Sequence, residues 1–193
     1  MCSWCWGFAL VWQQIQEQIS DKYKIEYVVG GLAPDSSEPM PIDLQNKLQS
    51  IWQQIQKTVP GTEFNFDFWQ ACAPRRSTYP ACRAVLTTKM LQPEKEQAMI
   101  SAIQRGYYLQ ARNPSDDETL IEFAVEVGLD ATLFAAKLNG VEVQQSLQEN
   151  LALAAILPIN GFPSLVLQKN NKHIPIQINY TDAKVVLDQL YVN

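Results

Sequence analysis

Two cysteines separated by two residues, Cys2-Ser3-Trp4-Cys5, stand at the head of the sequence, and an apolar stripe begins directly behind them. Phe8, Val11, Trp12, Ile15 and Ile19 fall on one face of a helix over residues 7–20. Positions three apart on a helix share a face, so both sulfurs can lie together, the first at the open amino end and the second one turn deeper. Unpaired N–H groups and the helix dipole at that end favour a negative sulfur. Thiols so placed can fall in pKa from about 8.5 to roughly 3.5–7.5. The spacing therefore predicts an outer thiolate, Cys2, that attacks a substrate, and an inner thiol, Cys5, that resolves the mixed disulfide. Zinc is the competing chemistry for paired cysteines. The remaining two, Cys72 and Cys82, are ten residues apart and the sole histidine, His173, is remote, so no metal site is expected.

Three further groups bear on that chemistry. Gly161-Phe162-Pro163-Ser164 leads into an apolar run. A proline there can carry a cis peptide bond, and beside a thiol pair such a bend presents backbone groups to an extended peptide. The tetrapeptide alone favours an ordinary trans proline; the cysteine pair upstream favours the bent form and makes Phe162 and Pro163 candidate substrate-binding residues. Cys72 and Cys82 read either as a second redox pair or as small core residues. Arg75, Arg76 and Arg83 make their neighbourhood electropositive, which favours thiolates, and Cys82, at a helix start, is the more reactive candidate. Trp4 and Trp6 flank the cysteines, with Trp4 expected as an exposed rim for substrate and Trp6 as a buried anchor.

The elements that must position these residues follow from periodicity and punctuation. Residues 24–30 (KIEYVVG) read as a short buried strand, and 31–42 as a Pro-rich surface loop. Asp43 can cap a helix whose stripe is Leu44, Leu48, Ile51, Trp52, Ile55 and Val59. Helices are expected after Pro80, over 93–112, from Ser115 or Asp116 to Val127, from Asp130 to Asn139, and over 141–157. GFPSLVL and HIPIQI (173–178) read as two strands, Pro175 marking a sheet edge, and 181–191 as a closing helix. This order places a helical stretch, 43–157, inside a small α/β scaffold made of 1–42 and 158–193.

Bulk properties exclude several functions. Of 193 residues, 47% are hydrophobic and 18% charged, the balance of a chain that buries a core. A net charge of -5 argues against broad nucleic-acid binding. No apolar run approaches the roughly 20 residues that span a membrane, and no secretory signal is present, so the expected location is cytoplasmic. With His173 as the only imidazole, Ser-His-Asp and Cys-His catalysis are disfavoured.

Taken together, MCSWCWGF, FNFDFW, YPACRAVL and GFPSLVL resemble the cytoplasmic, FrnE-like branch of the DsbA family, predicted protein disulfide isomerases, and the resemblance spans nearly the whole chain. It implies a thioredoxin-like α/β fold with a large α-helical insertion. It implies Cys2 as nucleophile, Cys5 as resolving thiol, Phe162-Pro163 as a cis-proline loop, and Cys82 and Arg83 near the active-site cleft. Two departures stand out. Relatives carry a strand directly before the Met-Cys, and the first core strand is missing from this sequence. The expectation is a start codon placed late, a neighbouring copy that supplies the edge and so forms a homodimer, or a gapped sheet. The Ser-Trp dipeptide also differs from the Pro-His of strongly oxidising members, so their potential does not transfer.

The leading functional expectation is a thiol–disulfide oxidoreductase or isomerase acting on protein or small-molecule thiols. No cofactor is required, and glutathione is a candidate co-substrate. A glutathione-dependent isomerase or transferase of the same fold is one alternative. A non-catalytic binding or chaperone-like module with a truncated N-terminus is the other.

Overall fold

A computed structural model of the chain describes residues 1–192. Helix α1 runs over Ser3–Ile19 and α2 over Ile42–Thr58. The short α3 covers Phe68–Ala71, α4 Tyr79–Leu91, and α5 Glu96–Leu109 after a 3₁₀ turn at Pro93–Lys95. Then come α6 (Asp117–Glu126), α7 (Ala131–Leu138) and α8 (Val141–Ile156). Strands β1 (Leu165–Lys169) and β2 (Lys172–Ile176) precede α9 (Ala183–Val192). The elements begin where local chemistry allows. Asp130 accepts the Leu133 N–H at the start of α7, and Pro80 occupies the first turn of α4, where its missing N–H costs nothing. At α2 the capping position falls on Pro41, and Asp43 lies inside the first turn, where its charge meets the helix dipole.

β1 and β2 pair antiparallel in the register Leu165↔Ile176 to Lys169↔Lys172. Asn170 and Asn171 both take positive φ, +51° and +61°, as a tight two-residue hairpin turn requires. One face of this hairpin packs on α1 and α9: Phe8, Val11, Ile15 and Ile19 meet Leu167, Ile176, Val186, Leu187 and Leu190. A second core lies among α4 to α7, around Met99, Ile103, Leu120, Phe123, Phe134 and Leu138. A third, aromatic, joins α1 to α2 and α5 through Trp52, Ile55, Phe64, Phe68, Tyr107 and Tyr108, with Trp4 and Trp6 packed against it. The cysteine-bearing turn is thus held from two sides, by the hairpin core and by the aromatic core.

The strand expected over 24–30 is not formed. These residues pair with no strand, and among the described residues β1 pairs with β2 alone. The β-branched and aromatic residue types favour an extended chain, but a strand also needs a ladder partner on at least one edge. Here an open cleft of about 1560 Å³ is lined both by residues 22–30 and by residues 162–168 of β1 and its approach. Side chains hold the segment instead: Trp12 Nε1 and Gln16 Nε2 both donate to the Tyr27 hydroxyl, and the Val29 N–H donates to Asn150 Oδ1. The sheet is therefore gapped, one of the arrangements anticipated above. A direct consequence is weak backbone protection. In native-state hydrogen exchange the amides of Glu26, Tyr27 and Val28 should exchange far faster than those of Leu167 or Ile174, and equal protection would contradict this account of 24–30.

Candidate active site

Cys2 is the residue that caps α1. Its Sγ accepts the Cys5 N–H at 3.3 Å, and the Cys5 and Trp6 N–H groups also bond its carbonyl, so the helix opens on this cysteine. From the other side, the Cys2 thiol donates to the Phe162 carbonyl at 3.4 Å. The peptide bond that follows, Phe162-Pro163, is cis. The two motifs singled out in the sequence, 160 positions apart, therefore meet at one sulfur.

The electrostatics of the pair are opposed. The Cys2 thiol is pulled down to about 7, chiefly by the Cys5 thiol acting as hydrogen-bond donor, with the Cys5 and Trp4 N–H groups adding to it and burial working against it. Cys5 moves the other way: it gives its proton to the bond with Cys2, and burial disfavours its anion. Burial likewise raises Cys72 and Cys82. Of the four cysteines, all of them free thiols, only Cys2 is shifted toward the thiolate. The α-amino group of half-buried Met1 is held below its usual range by desolvation, within electrostatic reach of Cys82, Cys2 and Cys5.

Cys2, Cys5, Cys82, Phe162 and Pro163 line the same cleft. Trp4 and Arg83 do not. Trp4 is half-buried and leans on Tyr180, with ring centroids 5.1 Å apart. Arg83 is 7% exposed, because its guanidinium is committed to Asp35 in a two-pronged pair at 2.7 and 2.9 Å and to Asn139 at 3.0 Å. It fastens the 31–42 loop to α4, while its charge still acts on Cys82 against the effect of burial. Trp6, expected buried, is half-buried: it stacks on Tyr108 and donates to the Glu63 carbonyl at 2.9 Å. Cys72 sits in the aromatic core with its thiol on the Ala111 carbonyl, while Cys82 packs with Tyr79, Leu86 and Leu151. His173 is exposed on β2, as its position in an edge strand suggests. The described residues contain no cluster of His, Cys, Asp and Glu that could hold a metal ion.

Sequence reasoning missed the supports of the site. Ser3, between the cysteines, is buried and accepts the Trp52 Nε1–H at 2.9 Å. Gly30 lies under the Phe162 ring, and a Cβ there would be driven into that ring. The Gly30-Gly31 pair signals a turn in the sequence, but nothing local says which distant side chain packs on it. Gly30→Ala should push Phe162, and with it the carbonyl at Cys2, out of place. The expected cost is roughly 1–3 kcal/mol of stability from overpacking. A roughly ten- to hundredfold slower thiol exchange should accompany it, read in a stopped-flow assay against wild type.

Comparison with known proteins agrees with the geometry. The whole described arrangement, a small sheet with helices on it and a run of helices between α1 and the hairpin, is a DsbA-like thioredoxin fold. The model of the DSBA-like thioredoxin domain matches residues 1–183, and the chain belongs to that family. A proposed protein disulfide isomerase from Nitrosomonas europaea, known from its crystal structure, is 27% identical. It superposes with a TM-score of 0.88 over 100% of this chain and 92% of its own. The cytosolic disulfide reductase DsbM of Pseudomonas aeruginosa shares the fold at 21% identity and a TM-score of 0.78, covering 100% of this chain and 96% of that one. Its structure with GSH gives 22% identity and a TM-score of 0.72, over 92% of this chain and 85% of that chain. The ClpXP adapter protein SpxH of Halalkalibacterium halodurans is 19% identical over 175 residues, 89% of this chain. The chain spans 56% of that relative's length. No helix among the described residues is long and apolar enough to cross a membrane.

Proposed function

We propose that this chain is a thiol–disulfide oxidoreductase or isomerase with Cys2 as nucleophile and Cys5 as resolving thiol. The observation that carries the reading is the single lowered thiol, Cys2, held between the Cys5 N–H and the Phe162 carbonyl in the lining of an open cleft. The Cys2 thiolate attacks one sulfur of a substrate disulfide, forming a mixed disulfide and releasing the other sulfur as thiolate. Cys5 then loses its proton and attacks the Cys2 sulfur. The Cys2–Cys5 disulfide forms, the second substrate thiolate leaves, and the substrate has gained two electrons. Run backward, the same steps oxidise a dithiol.

The Phe162-Pro163 loop docks the substrate backbone beside Cys2, and Cys82 lines the same cleft. The substrates are protein or small-molecule disulfides and thiols in the cytoplasm. Glutathione is the proposed reductant, a choice supported by the DsbM structure with GSH. In this reading 43–157 is an insertion in a thioredoxin-like unit made of 1–42 and 158–193. Insulin reduction and reactivation of scrambled ribonuclease test it. Both activities should be present in the wild type and lost in Cys2→Ala. A wild type inactive in both that still suppresses aggregation of an unfolded client would assign the chain to the binding class instead.

A further inference from the structure

The first turn of α1 is fastened to α2 at two successive levels. Ser3 and Gly7 lie one turn apart on the same face of α1. At the upper level Trp52 Nε1 donates to Ser3 Oγ at 2.9 Å, a bond buried from solvent between residues 49 positions apart. At the lower level Gly7 lets the helices approach so closely that a Cβ there would stand 3.0 Å from the Ile55 side chain. Trp52 itself is fully buried and cannot drift: rings of Phe64, Trp69, Tyr107 and Tyr108 surround it with centroids 4.9–5.6 Å away. Tyr108 is buried beside it with no hydrogen-bond partner of acceptable geometry for its hydroxyl, and Ser3 is the side chain whose hydrogen bonding bears on that phenol.

A serine hydroxyl needs no helix dipole, no substrate and no solvent to explain it here; it serves as the one polar socket for an indole N–H that has no other partner. What that socket fixes is the orientation of the peptide units between the two cysteines. The N–H groups of Trp4 and Cys5 belong to the residues immediately after Ser3, and they are the groups that face the Cys2 sulfur. We propose that Trp52 is a positioning residue for Cys2, acting through the Ser3 hydroxyl to hold the first turn of α1 so that its N–H groups stay aimed at the sulfur. This rests on the thiol–disulfide reading above and adds to it a coupling between the helical stretch and the reactive sulfur. Helix α2, 40 residues along the chain from the cysteine pair, becomes part of what sets the reactivity of the thiol.

The test is the pH profile of alkylation of Cys2 in the reduced full-length protein, followed by peptide mass spectrometry. Trp52→Phe keeps a ring and removes the N–H donor, while Ser3→Ala removes the acceptor. The other titratable groups that bear on Cys2 are the Met1 amino group, Cys5, Tyr108 and Tyr180; Trp52→Phe replaces none of them and keeps the Ser3 hydroxyl that bears on Tyr108, whereas Ser3→Ala removes that hydroxyl as well, so Trp52→Phe is the deciding variant. Each variant should raise the alkylation midpoint by about half a pH unit or more, a loss of roughly threefold or more in thiolate below the midpoint. The double variant should match the single ones, because removing either member already breaks the bond. Midpoints unchanged from wild type in both single variants, with only a lowered melting temperature, would overturn the proposal and leave the bond a packing detail. A wild-type midpoint at the ordinary thiol value would instead contradict the functional reading itself, so the two failures are distinguishable.

Discussion

Serine in place of Cys2 should reduce thiol–disulfide exchange to the rate without protein, whereas serine in place of Cys5 should still allow a single turnover. The difference follows from the opposed shifts of the two sulfurs. Cys2 is the only cysteine moved toward the thiolate, and the thiolate is the attacking species. A serine hydroxyl at position 2 has no accessible anion and no polarizable sulfur. Cys5→Ser leaves an attacking group at position 2, now without the Cys5 thiol that lowers it most, and removes the group that releases the first adduct. Exchange should therefore stop after one turn, with a mixed disulfide on Cys2 that accumulates and is visible by intact mass. The pH dependence has a fixed sign. Above the folded value of about 7 the wild-type rate should level off. Below it the rate should fall about tenfold per pH unit as the sulfur is protonated. Cys5→Ala, which leaves no donor at that position, should displace that break upward.

The second large effect is on stability. Trp52→Ala should cost about 3–5 kcal/mol, the range for removing a fully buried aromatic side chain. That is a large part of the roughly 5–15 kcal/mol that holds a domain together. Trp52 has zero exposure and sits at the centre of the aromatic core that joins α1 to α2 and α5, so no neighbouring ring can close the cavity without abandoning its own partners. Urea titration should show the midpoint falling at an unchanged slope. A loss below about 1 kcal/mol would mean that the aromatic core relaxes freely, contrary to the close packing described. Because Trp52 also anchors Ser3, the folded fraction of this variant should alkylate more slowly at Cys2.

Helices were legible where one face is apolar and the ends carry local signals. The stripe of α1 and the Asp130 cap of α7 needed only neighbours within a few residues. The segment 24–30 shows the limit: its residue types specify an extended chain, but whether an extended chain becomes a strand depends on what lies beside it, here a cleft lined by β1. The site divides in the same way. Cys2 and Cys5 were legible because a helix start imposes its electrostatics on residues three apart. Their meeting with Phe162 rests on the resemblance to a family, since no local rule brings residues 160 positions apart together. Cys82 and Arg83 were both expected near the active-site cleft from the family resemblance. Adjacent positions on a helix point about 100° apart, and so Cys82 faces the cleft while Arg83 reaches Asp35 and Asn139. Ser3 and Trp52 were individually visible as residues, but their hydrogen bond is a tertiary fact.

Differential alkylation of the reduced protein across pH 5 to 10, read cysteine by cysteine, tests the central claim most directly. The account predicts that Cys2 is modified first, with a midpoint near 7, while Cys5, Cys72 and Cys82 are modified only at higher pH, since all three are raised above the ordinary thiol range. A midpoint for Cys2 at or above about 8.5, or modification of Cys72 or Cys82 ahead of it, would contradict it.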